Sequence, residues 1–337
     1  MTNQPLVSII IPVYNGSDYL GEAIDSALAQ TYPNVEILVI NDGSGDNGAT
    51  RNIALSYGDK IRYLEKENGG VATALNLGIS EMKGEYFSWL SHDDVYLPGK
   101  IKKQVEFISK KSLSNAAIYS DVEYIDKDSK VLYQSKAPHY EPNDFRPAFL
   151  LKALINGCTL LVPKICFKEC GVFNPALKTT QDYDLWFRIS EKFGFVHQPE
   201  VLIQSRLHDK QDSIRLYNIS FEERDNLYHH FISGISPTEI CRFSKHNPSG
   251  YYISFAFMMA AYMCPKAEKH AAKKAVYYLL KSRLITIFPN IFKLILLFLF
   301  IAFRKLFIAL FGYMAFFKFK KALRFSGFGT RIKKLLP

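Results

Sequence analysis

The chain is poor in the features that announce a redox cofactor, a covalent staple or a membrane span. Its 337 residues hold five cysteines, Cys158, Cys166, Cys170, Cys241 and Cys264, an odd number with no C-x-x-C pair. Neither a zinc site nor a disulfide framework fits that spacing, which leaves buried, reduced thiols of a cytosolic protein. No G-x-G-x-x-G follows the first apolar run, where Val13-Tyr14-Asn15-Gly16 stands instead, so a dinucleotide-dependent oxidoreductase lacks its phosphate-binding turn. The early run Leu6–Ile11 is too short for a signal peptide and has no basic flank. Bilayer crossing takes roughly 20 apolar residues. Within Ile291–Phe317, the most apolar stretch, Lys293, Arg304 and Lys305 leave runs of only ten (Leu294–Phe303) and twelve residues (Leu306–Phe317).

Acid is scarce at one end. From Lys266 to Pro337 there are 16 Lys and Arg against one acid, Glu268, a net of +15 that leaves −5 for the rest of a chain whose total is +10. Cations clustered beside aromatics and leucines suit helices lying in an anionic membrane interface. No nucleic-acid-binding motif accompanies them, so nucleic acid is not an expected partner. The expectation is a monotopic or peripheral protein at the cytoplasmic face of the cell membrane.

What is present is a folded protein of about two domains, with 48% apolar and 22% charged residues. The first 120 residues alternate β-type runs with helical patterns. Strands are expected at Leu6–Pro12, Val35–Ile40, Ile61–Leu64 and Tyr86–Leu90, with helices from Ser17 to about Gln30, from Gly70 to about Met82 and after Pro98. This alternation predicts βαβ units and a mainly parallel sheet, whose ligands bind beyond the carboxyl ends of its strands. Short strands are expected over Val122–Ser135 and a strand at Asn156–Pro163. A helix is expected at Tyr183–Lys192, and helices alone after about Leu216.

Polar motifs follow the strands. Asp93-Asp94 comes just after the fourth, where a rigidly held carboxylate suits a hard cation that bridges phosphates, or else caps the next helix. In Asn41-Asp42-Gly43-Ser44, Gly43 permits a tight turn and Asp42 offers an acceptor to a base or ribose; a structural turn uses the same residues. Asn68-Gly69-Gly70 either presents backbone N–H groups to a bound group or shapes a loop. Asp182 and Asp184 open a helix, where acids usually cap, and a general base beside a cleft is the sharper reading. His208 ligates a metal, contacts phosphate or serves structure.

Taken in order, Val7–Asn15, Asn41–Ser44, Gly70-Val71-Ala72 with Asn76-Leu77-Gly78, Asp93-Asp94 followed by Tyr96-Leu97-Pro98, and Gln181–Trp186 resemble the family 2 inverting glycosyltransferases over roughly residues 5–215. The resemblance implies a GT-A-type nucleotide-sugar-binding α/β domain over 1–215. A helical extension would follow over 216–265 and a basic, membrane-associating tail over 266–337. It implies a donor site of Pro12, Val13, Tyr14, Asn15, Asp42, Gly70, Asn76, His92, Asp93, Asp94 and Arg206, with Tyr14 stacking on the nucleobase and Asp42 contacting it. It further implies a divalent cation, Mn²⁺ or Mg²⁺, on Asp93 and His208, and Asp182 as the general base.

The chain departs from the family pattern at three positions: Ser91 replaces the first acid of Asp-x-Asp, Gln181 the acid before the base, and Leu75 a common arginine. The implied reaction moves one sugar from a UDP- or dTDP-linked donor to a saccharide acceptor, lipid-linked and destined for a cell-surface polysaccharide. A non-catalytic scaffold of the same fold is the alternative that Ser91 and Gln181 support.

Overall fold

The computed structural model describes residues 4–152, 155–209, 211, 216–281, 290–306 and 308. The chain forms two compact units, residues 1–223 and 224–337.

Unit 1 is built on two sheets. Strands β1 (Val7–Val13), β2 (Val35–Asn41), β3 (Arg62–Glu65) and β4 (Tyr86–Trp89) run parallel in the order β3-β2-β1-β4. Helices α1 (Leu20–Leu28), α2 (Ala49–Leu55) and α3 (Val71–Glu81) connect them. Val7, Ile9, Ile10 and Ile11 are fully buried, as a strand covered on both faces requires, which is why the run reads as continuously apolar rather than alternating. Pairing of Val13 with Asn41 and of Ile10 with Trp89 brings the carboxyl ends of β1, β2 and β4 to one edge.

After β4 come the two-residue β5 (Val95–Tyr96), helix α4 (Lys100–Lys111), the long β6 (Ala116–Ile125) and β7 (Val131–Ser135). Helix α5 (Phe145–Lys152) leads to β8 (Val162–Pro163), which adds antiparallel to β4. Helices α6 (Lys164–Cys170) and α7 (Gln181–Lys192) precede β9 (Gly194–Arg206). The second sheet has the order β5-β9-β6-β7, with β6 and β9 parallel and the other pairs antiparallel. This 13-residue β9 is the largest element absent from the sequence reading. Pro199 cannot donate to a ladder and falls where the pairing skips from Gln198 to Val201, so the strand tolerates it as a bulge.

The expected strand at Asn156–Pro163 is mostly not one. The Asn156 side chain accepts from the Cys158 N–H at 2.9 Å and the Thr159 hydroxyl donates to the Asn156 carbonyl at 2.7 Å, curling Gly157–Thr159 into a 3₁₀ turn. Val162 and Pro163 pair with β4, and Leu161 makes a single antiparallel bridge to Ile118. Such local side-chain bonds compete directly with a ladder. None of the five cysteines forms a disulfide: Cys158, Cys166 and Cys264 are buried, Cys170 and Cys241 partly so.

Helix α8 (Tyr217–Gly234) begins in unit 1. Unit 2 contains α9 (Pro237–Phe243), α10 (Pro248–Ala261) and α11 (Pro265–Leu280), and residues 290–306 are helical. Asp225 accepts the N–H groups of Lys266 and Ala267, satisfying the start of α11. Arg304, which interrupts the apolar tail in sequence, is buried and donates to Glu268 at 2.8 Å and to the Ala260 carbonyl. Phe292, Ile295, Phe298, Leu299 and Leu306 are exposed. Among the described residues no helix is long and apolar enough to cross a membrane. Most of the second apolar run, and the tail beyond 308, lie outside the described residues.

The parallel core makes a stability prediction. A β-carbon at Gly84, just before β4, would stand 2.7 Å from the Ser8 nitrogen and 2.8 Å from the Leu6 carbonyl, both backbone, whereas one at Gly45 meets nothing within 4 Å. Gly84→Ala is expected to destabilise by about 1–3 kcal/mol, the usual scale of overpacking, and Gly45→Ala by much less. Paired urea titrations decide it, and equal midpoints for the two variants would contradict the packing described.

Candidate active site

A cleft of about 910 Å³ opens at the carboxyl ends of β1, β2 and β4. It is built first by loops that tie to one another. Asn15, with a left-handed φ of 49°, donates its N–H to Ser44 Oγ and accepts the Gly45 N–H at 2.8 Å. Ser44 in turn bonds to the Asn41 side chain. Pro12, Val13, Tyr14 and Asn15 line the cleft, with Tyr14 43% exposed.

Asp42 lines the cleft too, but its carboxylate is buried and turned into the chain. It accepts from Lys66 Nζ at 2.6 Å, the Gly69 N–H at 3.1 Å and the Gly70 N–H at 2.7 Å. The backbone N–H groups of Gly69 and Gly70 are therefore aimed at Asp42, as the loop-shaping alternative for Asn68-Gly69-Gly70 has it, and Gly70 takes a positive φ of 90°. That carboxylate locks two cleft loops to each other.

The acids after β4 divide in environment. Asp93 Oδ2 lies 2.9 Å from His208 Nε2, and both side chains are mostly buried on the cleft wall. Burial opposes ionisation of Asp93, but the bond from His208 and the charge of the neighbouring histidines hold its carboxyl below the ordinary value, and the same bond raises His208. Asp94 is fully enclosed; burial, then the charge of Asp93, pushes it up to about 7 even though Oδ1 accepts the Arg206 N–H at 2.9 Å. It does not cap α4, whose N-cap is Gly99. His92 lines the cleft and packs against Gly16, leaving no room there for a β-carbon.

A carboxylate and an imidazole converging from separate elements form a donor set suited to Mn²⁺ or a similar cation. Among the described residues no group of three or more His, Cys, Asp or Glu surrounds a single point. The protein can thus supply two ligands here, and a substrate would supply others.

On α7 the two acids separate. Asp184 pairs with Arg188 at 2.8 Å. Asp182 faces the cleft, has no cationic partner among the described residues, and is pushed up to about 6 by desolvation. Before it, Lys178 and Thr179 line the cleft, and the loop carrying them is held by Glu223 of α8, which accepts both their N–H groups at 2.6 and 2.9 Å. Lys178 is the sole Lys or Arg among the described residues of the cleft lining, and the motifs gave no sign of it. Cys158 also lines the cleft, 3.3 Å from Ser91 Oγ.

Two expected donor contacts lie elsewhere. Asn76 is bound on both sides to the Phe173 backbone, at 2.8 and 3.0 Å, and pins α3 to the segment before α7. Arg206 is 1% exposed and points away from the cleft into the protein. Leu75 is buried in the core. The remaining expected residues, Pro12, Val13, Tyr14, Asn15, Asp42, Gly70, His92, Asp93, Asp94, Asp182 and His208, all line this one cleft.

Comparison with known proteins identifies the family and the fold. The family model "Glycosyl transferase family 2" matches residues 8–165. A Rickettsia felis protein named "Uncharacterized glycosyltransferase" is 52% identical over 241 residues, which are 71% of this chain and 40% of that protein. A Rickettsia typhi protein so named is 51% identical over 242 residues, 71% of this chain and 75% of the relative. The crystal structure of S. aureus TarS 1–349 in complex with UDP-GlcNAc shares the fold at a TM-score of 0.54 and 13% identity, covering 81% of this chain and 91% of TarS 1–349. This chain spans less than half of the Rickettsia felis protein, but three quarters of the Rickettsia typhi one at half identity. By that relationship the chain belongs to glycosyl transferase family 2.

Proposed function

We propose that the cleft binds a UDP- or dTDP-linked sugar and transfers the sugar, with inversion, to a hydroxyl of a saccharide acceptor. The observation that carries this reading is that Asp93 with His208, and the separately desolvated Asp182, line one cleft with the exposed ring of Tyr14. UDP-GlcNAc in the TarS complex supports the donor class.

Each residue has a task set by its surroundings. Tyr14 offers a ring face to the base. Lys178 offers an ammonium to the diphosphate. A divalent cation, Mn²⁺ or Mg²⁺, held by Asp93 and His208 would supply positive charge where the departing diphosphate gathers negative charge. Asp182 takes the proton of the acceptor hydroxyl as its oxygen bonds to the anomeric carbon. The bond to the diphosphate oxygen breaks on the opposite face and its electron pair leaves with the diphosphate, so a single displacement inverts the centre. Gln181 beside the base carries no charge, which spares Asp182 a further like-charge neighbour.

The acceptor in this reading is lipid-linked, part of cell-surface polysaccharide assembly, and reached from the cytoplasmic face of the membrane. Support comes from the exposed Phe292, Ile295, Leu299 and Leu306 on the 290–306 helix. Glu268, the one acid in the last 72 residues, pairs with Arg304 at 2.8 Å, which leaves the other 15 Lys and Arg of that stretch of sequence with no acid within it.

Asp182→Asn is expected to keep donor binding and to lower kcat by about 10²-fold or more, the scale of general-base loss. Because burial raises Asp182, its carboxylate form forms only above a pH of about 6; kcat of the native chain should therefore fall as pH drops through 6 and level off above it. Near-normal turnover of the variant, or a flat acid limb, removes Asp182 from the role. No turnover by the native chain with any Mn²⁺- or Mg²⁺-supplemented nucleotide sugar would favour the scaffold alternative.

For the membrane reading, the full chain should co-sediment with phosphatidylglycerol-containing vesicles. Phe292→Glu with Leu299→Glu should cut the bound fraction severalfold, since each loses buried apolar area worth on the order of 1.5–3 kcal/mol. Unchanged sedimentation of the double variant contradicts it.

A further inference from the structure

A guanidinium carries five N–H donors in one rigid plane and no acceptor, so burying it demands a matching set of oxygens around it. Arg206 has that set. Its Nε donates to the Asp93 carbonyl at 2.9 Å. One terminal nitrogen donates to Ser129 Oγ at 2.8 Å and to the Asp126 and Lys127 carbonyls at 3.2 and 3.4 Å. The other donates to Glu22 of α1 at 2.5 Å. The plane sits over the Tyr19 ring, 4.4 Å from its centroid, and that same ring lies 5.3 Å from the ring of His208. The Arg206 main chain completes the arrangement by donating its N–H to Asp94.

None of these bonds reaches into the cleft, yet they converge on what lies behind its wall. The main chain of Asp93, the carboxylate of Asp94 and the ring against His208 are all set by one side chain and its own amide. The far end of the fork is anchored in the β6–β7 turn and α1, neither of which carries Asp93 or His208. We infer that Arg206 is a positioning residue that fixes the spacing of Asp93 and His208 for a divalent cation, with Glu22 and Ser129 as its anchors. The inference rests on the reading of Asp93 and His208 as cation ligands.

Groups behind metal ligands typically alter metal affinity 10–100-fold when changed. Lysine keeps the charge of Arg206 but cannot reach the Asp93 carbonyl, Ser129 and Glu22 at once. In the full chain without donor, Mn²⁺ titration followed by electron paramagnetic resonance should show Arg206→Lys weakening Mn²⁺ binding by about tenfold or more, on that same scale. A purely architectural arginine would lower the melting temperature and leave the Mn²⁺ affinity of the folded protein as it was; that result overturns the inference. Where Arg206→Lys does not fold, Glu22→Gln combined with Ser129→Ala releases the far end of the fork and leaves the cleft side chains intact. It should weaken Mn²⁺ binding in the same direction by less, and unchanged affinity overturns the inference. A native chain that binds no Mn²⁺ overturns the cation reading itself, and this inference with it.

Discussion

The 2.9 Å approach of Asp93 to His208 joins positions 115 residues apart in the chain, and most of unit 1 serves to make it. Asp93 is delivered by the buried parallel sheet, His208 by the last strand of a second sheet whose order threads β9 between β5 and β6. Because β5 follows Asp93-Asp94 directly and pairs with Gln204 and Ile203 of β9, the ladder itself draws Asp93 and His208 together. The architecture around this contact, Arg206 included, is the cost of holding a carboxylate and an imidazole at one point on a cleft wall.

The polar groups near the cleft fall into two classes by what they bond to. Asp42, Asn15, Asn76 and Arg206 have their hydrogen-bonding capacity met by the chain, and each locks one loop or helix to another. Tyr14, Lys178 and Asp182 are open to the cleft. Buried polar groups must be satisfied to be tolerated, so a rigid cleft needs the first class before the second can be useful. The Asp42 lock shows the trade most plainly: the N–H groups of Gly69 and Gly70 organise a loop rather than greet a ligand.

How much of this could be read from residues alone depends on what each signal encodes. Strands β1, β2 and β4 were legible because burial on both faces demands unbroken apolar runs, and their exits carried the polar motifs. The β9 strand was not, since Pro199, Gln198 and Gln204 break both the alternation and the apolar run, and its place is set by partners in β5 and β6. Asn156–Pro163 looked like a strand by composition, and the Asn156 side chain decided otherwise. The cleft membership of Asp93, Asp182 and His208 followed from motif order. The orientation of Arg206 did not, because a long side chain two residues from His208 can turn either way, and the oxygens that capture it come from α1 and the β6–β7 turn. Lys178 belongs to no motif; the N–H groups that its loop donates to Glu223, and the bond of its own ammonium to the Gly69 carbonyl, hold it at the cleft.

The most direct test of the central claim is a crystal structure of the full chain with a nucleotide-diphosphate sugar and Mn²⁺, with the manganese located by its anomalous signal. The account predicts manganese between Asp93 and His208, a diphosphate oxygen on it, and the anomeric carbon facing the Asp182 carboxylate. A donor seated in the cleft with manganese remote from Asp93, or with its anomeric carbon turned away from Asp182, would contradict it.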